Sequence, residues 1–143
     1  MKSGLLMVLV VGLLSSAGAA EQAAGGDAEK LQGTWKVVSS EDSGQKAPDE
    51  AIKNLKMVIT KEKITYKFDN KTMEWSYKLD PTKEPRWIDI KMGGDRTTLG
   101  IYVLDEDNLK ICFPEQSTER STAFESKPNS VNDVLIILKR EKP

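Results

Sequence analysis

The strongest constraint on the fold is a strict alternation of apolar and polar residues over positions 72–79. The apolar positions are Met73, Trp75, Tyr77 and Leu79, and every residue between them is polar. A period of two residues predicts a β-strand with one dry face and one wet face. Such a strand belongs in an antiparallel sheet, because parallel strands are normally covered on both faces.

Similar strand patterns recur along the chain, separated by turn residues at roughly even spacing. We predict eight strands, at 34–40, 56–61, 63–69, 72–79, 86–92, 97–104, 109–113 and 134–139. In the first, Trp35, Val37 and Ser39 share a face. The last is nearly all apolar and is expected to be buried on both faces. Between the first two strands, 48–54 is predicted as a short helical or irregular segment.

Eight short strands without a long helix indicate an all-β fold, either a small antiparallel up-and-down barrel or a sandwich. We favour the barrel because its first and last strands carry matching ends. Gly33 and Trp35 open the first strand, and Arg140 follows the last. Gly33, Trp35 and Arg140 are predicted to close one end of the barrel.

The amino-terminal 20 residues have the composition of a cleavable secretory signal peptide. Lys2 precedes an apolar segment from Leu5 to Leu14, and small residues follow. That segment is shorter than the roughly 20 residues of a membrane-spanning helix. The predicted organisation is a signal peptide at 1–20, a flexible lead at 21–30 and a barrel domain at 31–143. We expect a secreted or periplasmic protein without stable membrane insertion.

Histidine is absent from the chain and Cys112 is its one cysteine. The absence of histidine removes the Ser-His-Asp and Cys-His catalytic systems and the commonest transition-metal ligand. Cys112 lies in a predicted strand, where a free thiol is normally a small buried group. The acidic turn at 105–108 fails as an EF-hand loop, because Leu109 and Gln116 occupy ligand positions. We predict a protein that is not an enzyme and has no metal or other cofactor.

The charge balance gives no sign of a nucleic-acid partner, since the chain has 21 basic residues and 22 acidic ones.

Two arginines have a possible binding role. Arg86, beside Trp87, and Arg120 could offer positive charge to an anionic ligand at a rim of the barrel. Solvated surface positions are the interpretation that we favour for both.

Several segments resemble known barrel proteins. Gly33-Thr34-Trp35 with Arg140 resembles the lipocalin and calycin arrangement, in which the tryptophan packs across the closed end and the arginine stacks over it. A wider set is similar to an uncharacterised lipocalin-like domain family abundant in planctomycete bacteria. That set comprises 31–35, 100–105, 109–112, Arg120 with Phe124, and 138–140. The resemblance implies an exported barrel domain and no established activity.

Two functions remain open from the sequence. An eight-stranded barrel has room for large inner side chains or for one small ligand. The side chains expected inside are Tyr66, Phe68, Trp75, Tyr77, Ile88, Ile90, Leu99, Ile101, Ile111 and Phe113. The first hypothesis is a small apolar or amphipathic ligand at the barrel mouth, oriented by Tyr66, Trp75 or Tyr77. The second is a filled barrel that binds another exported protein through its outer face or the loop at 116–131.

Overall fold

A computed structural model of the chain describes residues 25–115, 117–128 and 133–142. The predicted signal peptide at 1–20 lies outside these residues. The described residues include two short helices, α1 at 25–31 and α2 at Asp49–Ile52. They also form nine strands, β1 to β9, which are Gly33–Asp42, Gln45–Lys46, Lys56–Ile59, Lys63–Phe68, Lys71–Asp80, Arg86–Gly93, Arg96–Asp105, Asn108–Pro114 and Asp133–Arg140.

The strands make one antiparallel sheet that closes on itself. Their spatial order is β2-β1-β3-β4-β5-β6-β7-β8-β9, and β1 also pairs with β9. Eight strands therefore form a barrel, and the two-residue strand β2 extends the hairpin that follows β1. The prediction of a small antiparallel up-and-down barrel is confirmed, as is the short helical segment after the first strand.

The two ends of the barrel differ in what covers them. We call one end the floor, where β1 begins, β9 ends and α1 lies. The opposite end is the mouth, where β4 turns into β5 at Asp69-Asn70 and β6 into β7 at Gly94-Asp95. Buried side chains from all eight barrel strands and from α1 and α2 form one apolar cluster between them, with Trp35 near the floor.

Strand β1 carries a β-bulge that changes which residues face the interior. The pairing with β9 shifts between Val37 and Ser39, and Val38 is 43% exposed. Beyond the bulge Ser40 lies opposite the buried Ile136. The prediction that Ser39 shares the inner face is therefore wrong, because the extra residue moves the alternation along by one position.

The inner face of β7 is the opposite of the one predicted. Gly100 pairs with the inner residue Ile88, so Thr98, Gly100 and Tyr102 point inward, whereas Leu99 and Ile101 point outward. Ile101 is nevertheless buried. The segment 117–128 lies over this outer face, where the Ser121 amide donates to the Leu99 carbonyl at 3.3 Å. Ile101 is thus buried on the outside of the barrel, beneath this segment. The alternation of apolar and polar residues alone does not predict such burial.

Strand β9 is less enclosed than its composition predicts. Ile136 and Leu138 are buried in the core, whereas Val134, Leu135 and Ile137 are only partly buried. The expectation of burial on both faces is wrong, because the outer face of β9 keeps contact with solvent. Its pairing with β8 on one side and β1 on the other leaves the backbone of this strand without a free edge.

Residues 25–30 form a helix, although they were predicted to belong to a flexible lead. The buried carboxylate of Asp27 accepts hydrogen bonds from the Tyr102 hydroxyl at 2.5 Å and from the Arg86 guanidinium at 2.9 Å. Leu31 at the end of α1 is also buried. The helix is therefore held across the floor by a polar anchor and an apolar one.

Arg120 is a structural residue, contrary to the interpretation of a solvated surface arginine. Its guanidinium lies 4.1 Å from the Trp87 ring centroid and donates to the Gly100 carbonyl at 2.8 Å and to Asp89 at 2.7 Å. Gly100 itself has no room for a side chain, because a Cβ would lie 2.8 Å from the Cys112 carbonyl oxygen. Arg86 is likewise engaged, through its ion pair with Asp27.

Candidate functional site at the barrel mouth

The three residues predicted to close the barrel meet at the floor. Trp35 is fully buried, and its indole Nε1 donates to the Leu31 carbonyl at 2.8 Å. The Arg140 guanidinium lies 4.3 Å from the Trp35 ring centroid. Gly33 leaves space for that guanidinium, since a Cβ there would approach Arg140 Nη1 to 2.9 Å.

The Arg140 guanidinium also forms hydrogen bonds within the protein. It donates to the Gln32 carbonyl at 2.8 Å, to Asp107 at 3.1 Å and to the Lys30 carbonyl. Lys142 and Arg140 beside Asp107 lower the pKa of that carboxyl. The residues around Trp35 and Arg140 are therefore packed and hydrogen-bonded to one another, as expected of residues that close a barrel end.

At the mouth, the β4–β5 hairpin presents a cluster of large apolar side chains. The Tyr66 and Trp75 rings stack with centroids 5.5 Å apart and an interplanar angle of 28°, and Phe68 lies 5.7 Å from Tyr66. Met73 is directly opposite Tyr66 in the strand register and is 42% exposed. We call Tyr66, Phe68, Met73 and Trp75 the mouth cluster. In this cluster the Trp75 ring is buried, Tyr66 and Phe68 are partly buried, and Met73 is exposed to solvent.

Trp75 carries an unused hydrogen-bond donor within this cluster. The side chain is 8% exposed, and its indole Nε1 is buried with no hydrogen-bond partner among the described residues. A buried donor without an acceptor costs about 1–3 kcal/mol and is uncommon in folded proteins. Trp35 differs in this respect, because its Nε1 is paired with the Leu31 carbonyl.

Tyr77, the third residue predicted to contact a ligand, is separated from this chemistry. Its hydroxyl donates to the Thr60 carbonyl at 2.5 Å, and burial raises its pKa to about 12. Tyr77 also lines a surface cleft of about 720 Å³ between α1 and the β3–β4 turn, together with Gly25, Lys61 and Leu79. The structure brings Tyr66 and Trp75 together and turns the Tyr77 hydroxyl away from them.

Phe68 and Met73 belong to the cluster although the sequence did not single them out as site residues. The alternation predicts that both share a face with the inner residues Tyr66 and Trp75. Phe68 directly precedes the Asp69-Asn70 turn and Met73 follows it by three residues, so that both side chains lie near the barrel rim. This short distance from a turn is the sequence feature that could identify them. Deeper in the barrel, the middle is filled by side chains that are at most 2% exposed, namely Met57, Ile59, Ile64, Ile88, Ile90 and Ile111.

The tyrosines provide a test of these environments by alkaline titration. The chain has three, Tyr66, Tyr77 and Tyr102, and burial raises the pKa of each. The folded state then holds the phenol protons more tightly than the unfolded state, so stability is complete below pH 10 and falls as the pH rises from 10 to about 12. Phenolate absorbance of the native protein should therefore appear at higher pH than that of the denatured protein.

The control for this titration is the same protein in strong denaturant, where tyrosine ionises near pH 10. A Tyr77→Phe variant should lose less stability between pH 10 and about 12 than the unsubstituted protein does. Identical phenolate titration curves for native and denatured protein would contradict the buried environments.

Cys112 and the acidic side chains are the other groups with a possible chemical role. Cys112 is buried, its Sγ lies 3.6 Å from the Glu125 carbonyl oxygen, and burial raises the pKa of the thiol. This agrees with the expected structural role of a small buried thiol. Over 25–115, 117–128 and 133–142 there is no group of three or more His, Cys, Asp or Glu side chains placed to hold a metal ion.

Comparison with known protein families, with curated proteins and with solved structures finds no match to this chain. No helix among the described residues has the length and apolar character needed to cross a membrane. The barrel and its mouth cluster are therefore the observations from which function is inferred.

Proposed function

We propose that this chain is a small exported binding protein that holds an apolar or amphipathic ligand at the barrel mouth. The observation that carries the proposal is the buried, unpartnered Nε1 of Trp75 beside the partly exposed mouth cluster. The apolar body of such a ligand would cover Tyr66, Phe68 and Met73, and an acceptor oxygen on it would satisfy the Trp75 donor once these side chains move aside, because Nε1 itself has no exposed surface. Binding would thereby remove the cost of an unsatisfied buried group.

The filled middle of the barrel limits the depth of the site. Since Ile64, Ile90 and Ile111 occupy the interior with almost no exposed surface, the ligand rests against the rim and does not enter a deep cavity. This favours a small compound that presents one flat or extended apolar face to the Tyr66 and Trp75 rings. Aromatic walls with few polar groups are typical of small-molecule sites.

Export and the lipocalin-like relationship are part of the proposal. The composition of residues 1–20 supports export. The closure of an eight-stranded barrel by Trp35 beneath Arg140 supports a relationship with lipocalin-like domains. Neither the fold nor this stacking specifies a ligand, so the chemical class rests on the mouth cluster alone.

The test distinguishes the contribution of the Trp75 N–H to ligand affinity from the contribution of its ring. Lipophilic carbonyl compounds would be screened by native mass spectrometry, and the affinities of any that bind measured by calorimetry. Trp75→Phe keeps an aromatic ring and removes the N–H, and should weaken binding by about 2- to 12-fold, as expected for one hydrogen bond. Trp87→Phe, on the outer face, is the matched control and should leave affinity unchanged.

A second candidate is an interaction module that binds another exported protein. The filled interior favours it, because a barrel without a cavity can still present the mouth cluster as a small apolar contact surface. If every compound in the screen leaves the protein unbound while Met73→Glu abolishes capture of a partner from the exported fraction, this candidate replaces the first.

A further inference from the structure

Four lysines form a continuous row across the outer face of four neighbouring strands. Lys36 on β1 lies opposite Lys139 on β9 and opposite Lys56 on β3, and Lys56 in turn lies opposite Lys67 on β4. Each is next in sequence to an inward-facing core residue, so the four side chains point outward. We call Lys139, Lys36, Lys56 and Lys67 the lysine row.

This arrangement opposes the usual rule for pairing across a sheet. Directly opposite residues have Cβ atoms about 4.5–5.5 Å apart, and like charges at that position are destabilising. Nearby in the same sheet, Lys63 on β4 instead forms a 2.6 Å ion pair with Glu74, its diagonal neighbour on β5. Three consecutive like-charge pairs therefore stand out against their own surroundings.

Carboxylates do not neutralise the row. Lys56 has an ion pair with Glu141 at 2.9 Å. Lys36, Lys67 and Lys139 are exposed, and none has an ion pair within the described part of the chain. One carboxylate thus faces four ammonium groups, in a protein whose formal net charge is −1.

We propose that the lysine row binds a linear polyanion, specifically an anionic polysaccharide. Neighbouring strands are about 4.8 Å apart, so the row is a line of positive charges about 14 Å long. It crosses four of the eight strands of a closed barrel and is therefore curved. A flexible chain with repeated negative charges can follow that curve, whereas a flat membrane surface touches only part of it.

The surroundings of the row disfavour two other polyanions. Base stacking needs aromatic side chains, and the residues paired along the row are lysines. An acidic peptide cannot extend the sheet here, because β9, β1, β3 and β4 are each paired on both sides. The row would therefore recognise its ligand through repeated negative charges along the ligand chain. Carboxylated and sulfated polysaccharides carry such charges.

The test uses heparin oligosaccharides as the probe and calorimetry at low and moderate salt. The full chain should bind them with an affinity that falls as salt increases, because bound counterions are released. Lys36→Gln combined with Lys67→Gln and Lys139→Gln should weaken binding at least about tenfold and reduce the salt dependence. The matched control replaces three exposed lysines outside the row, Lys46, Lys71 and Lys91, by Gln and should retain most of the affinity.

Each other outcome overturns the proposal. Absence of heparin binding, or an equal loss in the two triple variants, shows that the row is not a specific site. Binding to phosphatidylglycerol vesicles or to a poly-glutamate peptide with the same dependence on the row shows a different class of ligand. Removal of three like-charge contacts should not reduce the melting temperature, so a loss of binding by unfolding is distinguishable.

Discussion

Trp35→Ala should lower the free energy of unfolding by about 3–5 kcal/mol, the usual cost of truncating a fully buried tryptophan. The ring is wholly enclosed at the floor, its Nε1 is paired with the Leu31 carbonyl, and its face carries the Arg140 guanidinium. Against a typical total stability of 5–15 kcal/mol, this is a large fraction. Denaturant unfolding followed by circular dichroism measures the change.

Arg140→Ala keeps the result interpretable if Trp35→Ala does not fold. Loss of the stacking contact and of the hydrogen bonds to Gln32 and Asp107 should cost about 2 kcal/mol. Lys139→Ala, one residue earlier and pointing outward, is the matched control and should change stability little. Ligand affinity at the mouth should survive Arg140→Ala. Unchanged melting temperatures for both floor variants would contradict a closing role.

Asp27→Ala should destabilise the protein by about 2–3 kcal/mol, because it leaves the buried Tyr102 hydroxyl without its acceptor and removes the partner of Arg86. The effect should concentrate at the floor, since this carboxylate joins α1 to strands β6 and β7. Hydrogen exchange of the amides at 25–31 should accelerate far more than exchange in β5. Differential scanning calorimetry measures the overall loss.

Two variants separate the Asp27 anchor from general effects on the helix. Glu29→Ala changes an exposed acidic residue of α1 and should leave both stability and exchange close to those of the unsubstituted protein. Asp27→Asn keeps an acceptor for Tyr102 and removes the charge facing Arg86, and should fall between the other two. Equal protection of α1 in Asp27→Ala and in the unsubstituted protein would rule out the anchor.

The sequence is most informative where a strand has one dry face. Alternation at Trp75 and Tyr77 identifies β5 and its inner residues, and the turn residues around it separate the neighbouring strands. The same reasoning predicts eight short antiparallel strands, and the matching end residues Trp35 and Arg140 favour a barrel over a sandwich. These local periodicities survive in the structure because no other element competes for their faces.

The sequence is least informative where tertiary contacts override alternation. Ile101 is as apolar as any core residue, and only the position of segment 117–128 determines that its burial is on the outside. The bulge at Val38 and the helix held by Asp27 depend on partners about 100 and 60 positions away in the chain. In the mouth cluster, the sequence predicts Tyr66 and Trp75, because both are large aromatic residues on inner faces. It does not predict that the Trp75 Nε1 is unpaired, because that depends on the side chains around it.

The pairing of β1 with β9 imposes an order on how the barrel is made. Gln32 and Arg140, which meet at this seam, are separated by 108 positions in the chain. Contacts of such long range form slowly, and β1 has an open edge beside its bulge until β9 is available. During synthesis from the amino end, nearly the whole domain must leave the ribosome before that edge is covered. Until β9 closes the sheet, this uncovered edge of β1 can pair with a strand of another molecule.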